Sequence, residues 1–165
     1  MEKTNWYAVF TASRAEKRVK KRLEQAGIEH YLPVREVEFV QAGQVKKLEI
    51  PVITGCIFVR LAETDLSSLF SIFGVIALLR KEQVPIIIPD ELLASLRILN
   101  EQAEKLEIVN VGIPVSSVVR VVEGKLAGVQ GELVKVTGGG HRLVVHIPCL
   151  IGVCTDISLD YIKAL

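Results

Sequence analysis

The sequence predicts an α+β protein, in which a mostly antiparallel sheet flanked by helices is followed by a small all-β module. Two observations support this prediction. The first hundred residues alternate β-branched runs with helical spacing, whereas residues after 114 contain only short β-branched runs and glycine turns. Only 5% of residues are aromatic although 50% are apolar, so Val, Ile and Leu should form sheet-rich cores. We expect domains at 1–105 and 115–165, joined by a linker at 106–114.

The first strand is predicted from an apolar run, and the first helix is predicted from the residues at its two ends. Residues 6–11 form an apolar run that is typical of a buried strand. Ser13 is expected to cap the helix that follows, with Glu16 as its capping-box partner three residues later. Gly27 suits the position just after the last helical turn.

The first helix is strongly basic, although the net charge of the whole chain is only +1. Between residues 14 and 22 there are six cations and one acid, so any nucleic-acid surface should be a local patch here. Arg14, Arg18 and Arg22 recur every four residues and are expected to share one ridge of the helix. No aromatic residue interrupts these cations, so the sequence does not predict base stacking.

The middle of the N-terminal domain is expected to contain a long hairpin. Pro33 interrupts an extended segment over 28–39, and a turn at 41–44 returns the chain as a strand over 45–52. The remaining elements are a central strand at 56–60, a short helix at 65–71, a strand at 75–79 and a third helix from Pro89-Asp90.

The C-terminal domain is predicted to be entirely β. Five strands are expected, at 118–122, 132–136, 143–147, 149–157 and 162–164, which is the size of a small SH3-like barrel. Glycines at 124, 128, 131 and 138–140 each disfavour a helix by about 1 kcal/mol relative to alanine. We therefore expect strands here and not a helical hairpin.

Cysteine spacing and hydropathy exclude several classes of protein. Cys56, Cys149 and Cys154 lack the C-x-x-C spacing of zinc ribbons and thiol redox sites, so we expect reduced, buried thiols and neither a metal nor a cofactor. The first residues lack a signal-peptide pattern, and no apolar run reaches the ~20 residues needed to span a bilayer. These features predict a cytoplasmic protein without membrane association.

An enzyme is not predicted. His30, His141 and His146 show no metal-ligand spacing. Cys149 and His146 could form a dyad, but a nucleophile also needs an orienting third group. The glycines at 138–140 do not form a phosphate loop, because neither Lys-Ser/Thr nor a helix follows.

Several motifs resemble the NusG family of transcription elongation factors. Those that look like the family's N-terminal (NGN) domain are Trp6-Tyr7-x-Val, the basic helix, Gly55-x-Ile-Phe-Val and Gly74-Val75. Gly124, Gly128 and Gly131, in V-x-V-x-x-G-x-x-x-G-x-x-G, look like its KOW motif, and residues 157–161 are similar to its closing strand. Because the resemblance covers nearly the whole chain in the family's domain order, it implies an NGN domain followed by a KOW barrel.

Other features are closer to specialised paralogues, the RfaH and UpxY-like antiterminators, than to the housekeeping factor. The chain is short, and its 85–89 segment, Pro-Ile-Ile-Ile-Pro, resembles RfaH. Val52-Ile53 replaces the aromatic pair that the general factor carries before Thr54-Gly55. The resemblance therefore implies a dedicated antiterminator.

The resemblance also implies a binding site for the clamp helices of the largest RNA polymerase subunit. The matching positions are Phe10, Ile53, Cys56, Phe58, Leu93 and Leu96. An apolar groove between a sheet and a helix would accept partner helices. The alternative is that all six residues belong to the core.

Two further contacts within the polymerase complex are implied. In RfaH-like relatives the basic helix contacts the non-template DNA strand, and Arg22 matches a contacting position. Arg14 and Arg18 are the other candidate residues, and nascent RNA is the alternative ligand. Ser67 and Ser68 fall near a hydroxyl-rich segment that touches the gate loop of the β-subunit. Each set could instead be a solvated helix face.

In the KOW domain, the resemblance implies an apolar contact with a small-subunit ribosomal protein or with Rho. The matching positions are Leu126, Val129, Leu150 and Ile151, and barrel core is their alternative role. The family's aromatics are absent, and Val153 replaces a common arginine.

The predicted function is an elongation factor or antiterminator that acts as a monomer. It would bind polymerase, suppress pausing or termination, and link polymerase to other factors through its KOW domain. The alternative function is an RNA-binding or ribosome-associated KOW protein.

Overall fold

A computed structural model describes residues 3–109, 117–136 and 138–165 of the chain. It divides into two compact units, Met1–Ile87 and Ile88–Leu165. The third predicted helix falls within the second unit, and residues 110–114 of the predicted linker lie outside the described residues. The domain boundary at 106–114 therefore stays a prediction.

The first unit is built on a four-stranded antiparallel sheet. Its elements are β1 (Thr4–Thr11), α1 (Glu16–Gln25), β2 (Glu29–Tyr31), β3 (Val34–Gln41), β4 (Gln44–Pro51), β5 (Cys56–Ala62), a 3-10 segment (Glu63–Ser71), β6 (Val75–Leu78), β7 (Arg80–Lys81) and β8 (Val84–Pro85). The strand order is β2-β5-β1-β6. Val19 and Leu23 of α1 are fully buried in a core shared with sheet residues such as Val9 and Ile57. The predicted strand at 6–11 and the central strand at 56–60 are confirmed.

The C-terminal end of α1 has the predicted glycine cap. Gly27 adopts a φ of 72°, which glycine reaches without steric cost. The N–H groups of Gly27 and Ile28 donate to the carbonyls of Glu24 (3.1 Å) and Leu23 (3.0 Å). This pair of bonds is a Schellman motif.

The N-terminal end of α1 differs from the prediction. Ala15 occupies the N-cap position and no side chain caps the helix, so the predicted Ser13 cap is wrong. The Oε2 atom of Glu16 instead accepts a hydrogen bond from the backbone N–H of Gly55, 3.4 Å away. The Glu16 carboxylate therefore makes a tertiary hydrogen bond and not the hydrogen bond of a capping box.

The predicted hairpin is confirmed as a separate two-stranded sheet of β3 and β4. Ala42 (φ 52°) and Gly43 (φ 76°) form its turn, with the two positive φ angles of a type I′ turn. Val37 pairs with Leu48 across the ribbon, and both side chains are exposed.

The second unit contains one α-helix and a six-stranded antiparallel sheet within the described residues. Its elements are α2 (Asp90–Gln102), β9 (Glu107–Val109), β10 (Ser117–Val121), β11 (Gln130–Lys135), β12 (His141–His146), β13 (Gly152–Ile157), a 3-10 turn (Leu159–Tyr161) and β14 (Ile162–Ala164). The strand order is β14-β10-β11-β12-β13-β9. The expected strands are confirmed, whereas the SH3-like barrel stays a prediction.

An unpredicted strand, β9, lies in the segment interpreted as a linker. Val109 pairs with Gly152 and Glu107 pairs with Cys154, so β9 extends the sheet at the edge opposite β14. The segment that joins α2 to the sheet is therefore partly structured.

Close backbone approaches fix the middle of this sheet and its contact with α2. A Cβ atom on Gly131 would lie 2.6 Å from the carbonyl oxygen of Val144, so β11 and β12 accept only glycine there without moving. The buried hydroxyl of Ser95 on α2 accepts a hydrogen bond from the N–H of Gln130 at 3.0 Å. Gln130 and Gly131 thus join the helix and the two strands in one packed region.

The helices are short. α1 has 10 residues and α2 has 13, which corresponds to a length of about 20 Å for the longer one. In the described part of the chain, no helix has the length and hydropathy required to span a membrane.

Candidate functional site

The basic residues of α1 are presented outward because its apolar residues face the core. Val19 and Leu23 are fully buried. The cations on the remaining faces are Lys17, Arg18, Lys20, Lys21 and Arg22. Within the described ranges, none of these five cations is paired with a carboxylate. We call these five residues the basic face.

Arg14 does not belong to the predicted ridge. It precedes the helix, is exposed and has a φ of 58°, so its backbone is left-handed. Only Arg18 and Arg22 are one helical turn apart. The expectation that all three arginines share a ridge is therefore wrong, because the helix begins at Glu16.

Phe73 supplies an aromatic group at the basic face that sequence reasoning missed. The Nη1 atom of Arg22 donates to the carbonyl oxygen of Phe73 at 2.6 Å. Its guanidinium carbon lies 5.1 Å from the centroid of the phenyl ring, within cation–π range. The residue Phe73 is 78% exposed. Because the two residues are 51 positions apart, no local pattern indicated this contact.

Gly74 explains how the Phe73 loop comes so close to α1. Its φ is 102°, and a Cβ atom at this position would lie 2.7 Å from Cγ2 of Val19. Its carbonyl oxygen accepts a hydrogen bond from the N–H of Ala12 at 2.8 Å. The loop is therefore anchored both to the end of β1 and to the helix.

The six predicted clamp-binding residues are mostly buried. Phe10, at the end of β1, is the only one that is partly exposed. The buried positions are Ile53 (5% exposed), Cys56 (1%), Phe58 (0%), Leu93 (2%) and Leu96 (0%). Phe10 pairs with Cys56 across β1 and β5. Their role as a docking surface stays a prediction, with Phe10 as the residue best placed for direct contact.

The cysteines differ in environment. Burial raises the pKa of the Cys56 thiol to about 12 and also raises the pKa of Cys154. Cys149 is exposed, which corrects the expectation that all three thiols are buried. Within the described residues, no group of three His, Cys, Asp or Glu side chains could hold a metal ion.

We expect one fast-reacting thiol when the folded protein is treated with a disulfide reagent near pH 8. Cys149 should react first because only its sulfur is accessible, whereas a neutral, buried thiol is a poor nucleophile. Counting released chromophore against time measures this. Cys149→Ser should remove the fast phase and Cys154→Ser should retain it; a fast phase that persists in Cys149→Ser would contradict the assignment.

The predicted gate-loop serines lie on the exposed 3-10 segment. Ser67 and Ser68 are both exposed. The hydroxyl of Ser68 donates to the carbonyl of Asp65 at 2.6 Å. The Ser68 hydroxyl proton is therefore already used within the same segment. The contact with a gate loop stays a prediction.

The KOW positions are distributed between turns and the core. Gly124 (φ 84°) and Gly128 (φ 98°) occupy turns that need positive φ, whereas Gly131 is required by close packing. Val129 is fully buried, and the half-buried positions are Leu126, Leu150 and Ile151. Partner binding by these apolar residues stays a prediction.

Comparison with known proteins identifies a family to which the chain is similar. The family model described as "Transcription termination factor nusG" matches residues 4–97. A protein of Rickettsia conorii (strain ATCC VR-613 / Malish 7), "Transcription termination/antitermination protein NusG", is 27% identical over 168 residues, covering 94% of this chain and 86% of the relative.

The fold is similar to that of a solved structure described as "Domain interaction in Thermotoga maritima NusG". The TM-score is 0.54 at 16% identity, over 99% of this chain and 98% of that one. The family model covers more than half of the chain, and its match begins at the first residue of β1. The chain belongs to the NusG family of transcription termination and antitermination factors.

Proposed function

We propose that this chain is an elongation and antitermination factor that binds the clamp helices of RNA polymerase and suppresses pausing or termination. The observation that carries this proposal is similarity along 94% of the chain to a termination/antitermination protein. Binding that favours the closed, elongating polymerase would shift an equilibrium between polymerase states and would need no chemistry in the factor itself.

Phe10 is the proposed direct contact with the clamp helices. It is partly exposed at the end of an inner strand, where an apolar side chain can pack on a partner helix. Ile53, Cys56 and Phe58 support the proposal as the buried layer that holds this strand end in place. Leu93 and Leu96 of α2 are buried, and they are candidates only through the family resemblance.

Replacing Phe10 with aspartate should weaken binding to an isolated clamp-helix coiled coil at least tenfold. A carboxylate cannot be buried against an apolar helix without a partner, so its desolvation opposes binding. Isothermal titration calorimetry measures the affinity, and circular dichroism checks folding. Phe39→Asp is the matched control, because Phe39 is a 39% exposed phenylalanine on the separate hairpin.

If Phe10→Asp and Phe10→Ser both remain folded and bind like the wild type, the clamp proposal is wrong. Salt-sensitive RNA binding confined to residues 115–165, without coiled-coil binding, would favour the ribosome-associated alternative.

We further propose an SH3-like KOW barrel at 115–165 that carries the second partner surface. Leu126, Leu150 and Ile151 are half-buried and could contact a small-subunit ribosomal protein or Rho. Ser67 is the better placed of the two gate-loop candidates, because its neighbour already donates to its own segment. The specialised role, the monomeric state and the cytoplasmic location belong to the same proposal.

A further inference from the structure

We propose that one face of the β3–β4 hairpin is a docking surface for an amphipathic helix of another protein, with acidic residues beside the apolar stripe of that helix. The inference goes beyond the proposed function, because none of the residues proposed to bind polymerase lies on this hairpin. The surface is apolar along its centre and carries cations but no acid.

The hairpin has two faces that differ in chemistry. Side chains alternate between the faces along each strand, and paired residues share a face. On one face, Nζ of Lys46 donates to Oε1 of Gln41 at 3.1 Å. On the other, Lys47 forms an ion pair with Glu36 at 3.5 Å. The face of Lys46 also carries four apolar residues, which we refer to as the apolar ribbon face: Val37, Phe39, Leu48 and Ile50.

The apolar ribbon face is contiguous and uncovered. Val37 and Leu48 are directly opposite each other, and Phe39 and Ile50 are their diagonal neighbours toward the tip and the base of the hairpin. All four residues are 37–48% exposed. In the described part of the chain, no third strand pairs with the hairpin. A two-stranded ribbon is only marginally stable unless something packs on it, and a contiguous apolar patch of this kind indicates an interaction site.

The charges of the hairpin indicate what covers this face. Half-buried Arg35 and exposed Lys46 are its only ionisable residues. The opposite face carries three acids and one cation: Glu36, Glu38, Glu49 and Lys47. Because the hairpin as a whole has as many acids as cations, it does not favour a polyanion such as nucleic acid. An apolar protein surface flanked by acids complements the face.

A second copy of this chain does not complement the face. If two apolar ribbon faces met with their hairpins antiparallel, Lys46 of one copy would lie near Arg35 of the other. If the hairpins were parallel, each cation would lie near its own equivalent. Both arrangements bring like charges together at an apolar contact, which opposes association. The charges therefore select a different, acidic partner.

The dimensions of the face fit a short α-helix. The apolar residues extend over four positions of each strand, from Phe39 to the residue opposite Ile50, which is about 14 Å. Three turns of helix rise about 16 Å and place apolar residues spaced three and four apart on one side. A helix about 10 Å wide covers both strands. An added β-strand would instead pair with the outer edge of the hairpin and leave the face open.

The test is fluorescence anisotropy of the full chain with two labelled, capped peptides. Each is about 18 residues long, the helix that matches the ~27 Å length of the hairpin, and each has one stripe of leucines. Glutamates flank the stripe in the first peptide, and lysines replace them in the second. The acidic peptide should bind about tenfold more tightly, because its flanks attract Arg35 and Lys46 whereas lysines repel them.

Threonine substitutions test the face without removing the strands, because threonine also favours β structure. Phe39→Thr and Leu48→Thr should each weaken binding of the acidic peptide about tenfold or more, through lost apolar contact. Val40→Thr is the matched control: Val40 is exposed on the opposite face and its loss should leave binding unchanged. Amide chemical shifts of β3 and β4 check that the hairpin persists in each variant.

A second pair of variants tests the charge. Lys46→Gln should reduce the preference for the acidic peptide severalfold, whereas Lys47→Gln should keep it, because Lys47 lies on the opposite face. Equal binding of the two peptides, no binding of the acidic peptide, or an equal loss in Val40→Thr and Phe39→Thr would overturn the inference. A dimer in sedimentation that Phe39→Thr dissociates would assign the face to a second copy and overturn it too.

The clamp-helix coiled coil separates this inference from the proposed function. Phe10→Asp should bind the acidic peptide like the wild type, and Phe39→Thr should bind the coiled coil like the wild type. If Phe39→Thr weakened binding of the coiled coil as well, the separate docking surface would be wrong. A wild type that binds the peptide through Phe39 but does not bind the coiled coil would contradict the proposed function and leave this inference standing.

Discussion

Replacing Phe58 with alanine should lower the free energy of unfolding of the first unit by about 3–5 kcal/mol, the range for buried phenylalanines. Phe58 is fully buried on the inner strand β5, and its ring stacks near Tyr31 with a centroid separation of 6.4 Å. Removing the ring leaves a cavity that paired strands on both sides can close only by shifting. Urea unfolding followed by the fluorescence of Trp6, the only tryptophan and a residue of β1, measures the change.

Phe39→Ala is the control for Phe58→Ala. Phe39 lies on the hairpin and is 39% exposed, so its loss should change the free energy of unfolding by less than about 1 kcal/mol. A Phe58→Ala variant as stable as this control would show that Phe58 is not core. Its interpretation as a clamp-contacting residue would then regain support.

Alkaline pH should destabilise the fold through Cys56. The folded pKa is about 12, whereas an unburied thiol has a pKa of 9.0, so above pH 9 the unfolded chain binds fewer protons than the folded one. The contribution of Cys56 is complete below pH 9 and is lost as pH rises toward 12. The loss approaches ~1.4 kcal/mol per pH unit, or about 4 kcal/mol by pH 12.

Differences between variants isolate this contribution from other groups that titrate at high pH. Cys56→Ala should show a shallower decline in unfolding free energy between pH 9 and 11 than the wild type. Cys149→Ser should decline like the wild type, because Cys149 is exposed. Parallel curves for the wild type and Cys56→Ala would refute the effect of burial.

Features that are decided within a few residues were predictable from the sequence. Gly27 ends α1 in a Schellman motif because the bonds involved span only five residues. The turn at Ala42 and Gly43 likewise follows from local backbone preference at the hairpin tip. The alternation of strands and helices was predictable for the same reason.

Features that depend on contacts distant in sequence were not predictable. Ser13 is not the cap because the helix begins at Glu16, and the Glu16 carboxylate bonds to Gly55, 39 residues away. The strand β9 was missed because three residues are too short for a recognisable pattern, and the strand is defined by its pairing with β13. Phe73 was missed because only the folded chain places it on Arg22.

The candidate site likewise contains residues that the sequence could identify and residues whose role depends on the folded structure. The charge pattern led to the basic helix and the resemblance led to Phe10, and the structure leaves both accessible. It could not separate contact residues from core among Ile53, Cys56 and Phe58, since burial is a property of the packed sheet.

The short strand β9 has a mechanical consequence for the second unit. While Glu107–Val109 stays paired with β13, residues 103–106 alone join α2 to the sheet, a reach of about 17 Å when fully extended. The pairing of β9 at one edge of the sheet therefore shortens the connection between the end of α2 and the strands, in addition to the packing of the helix itself.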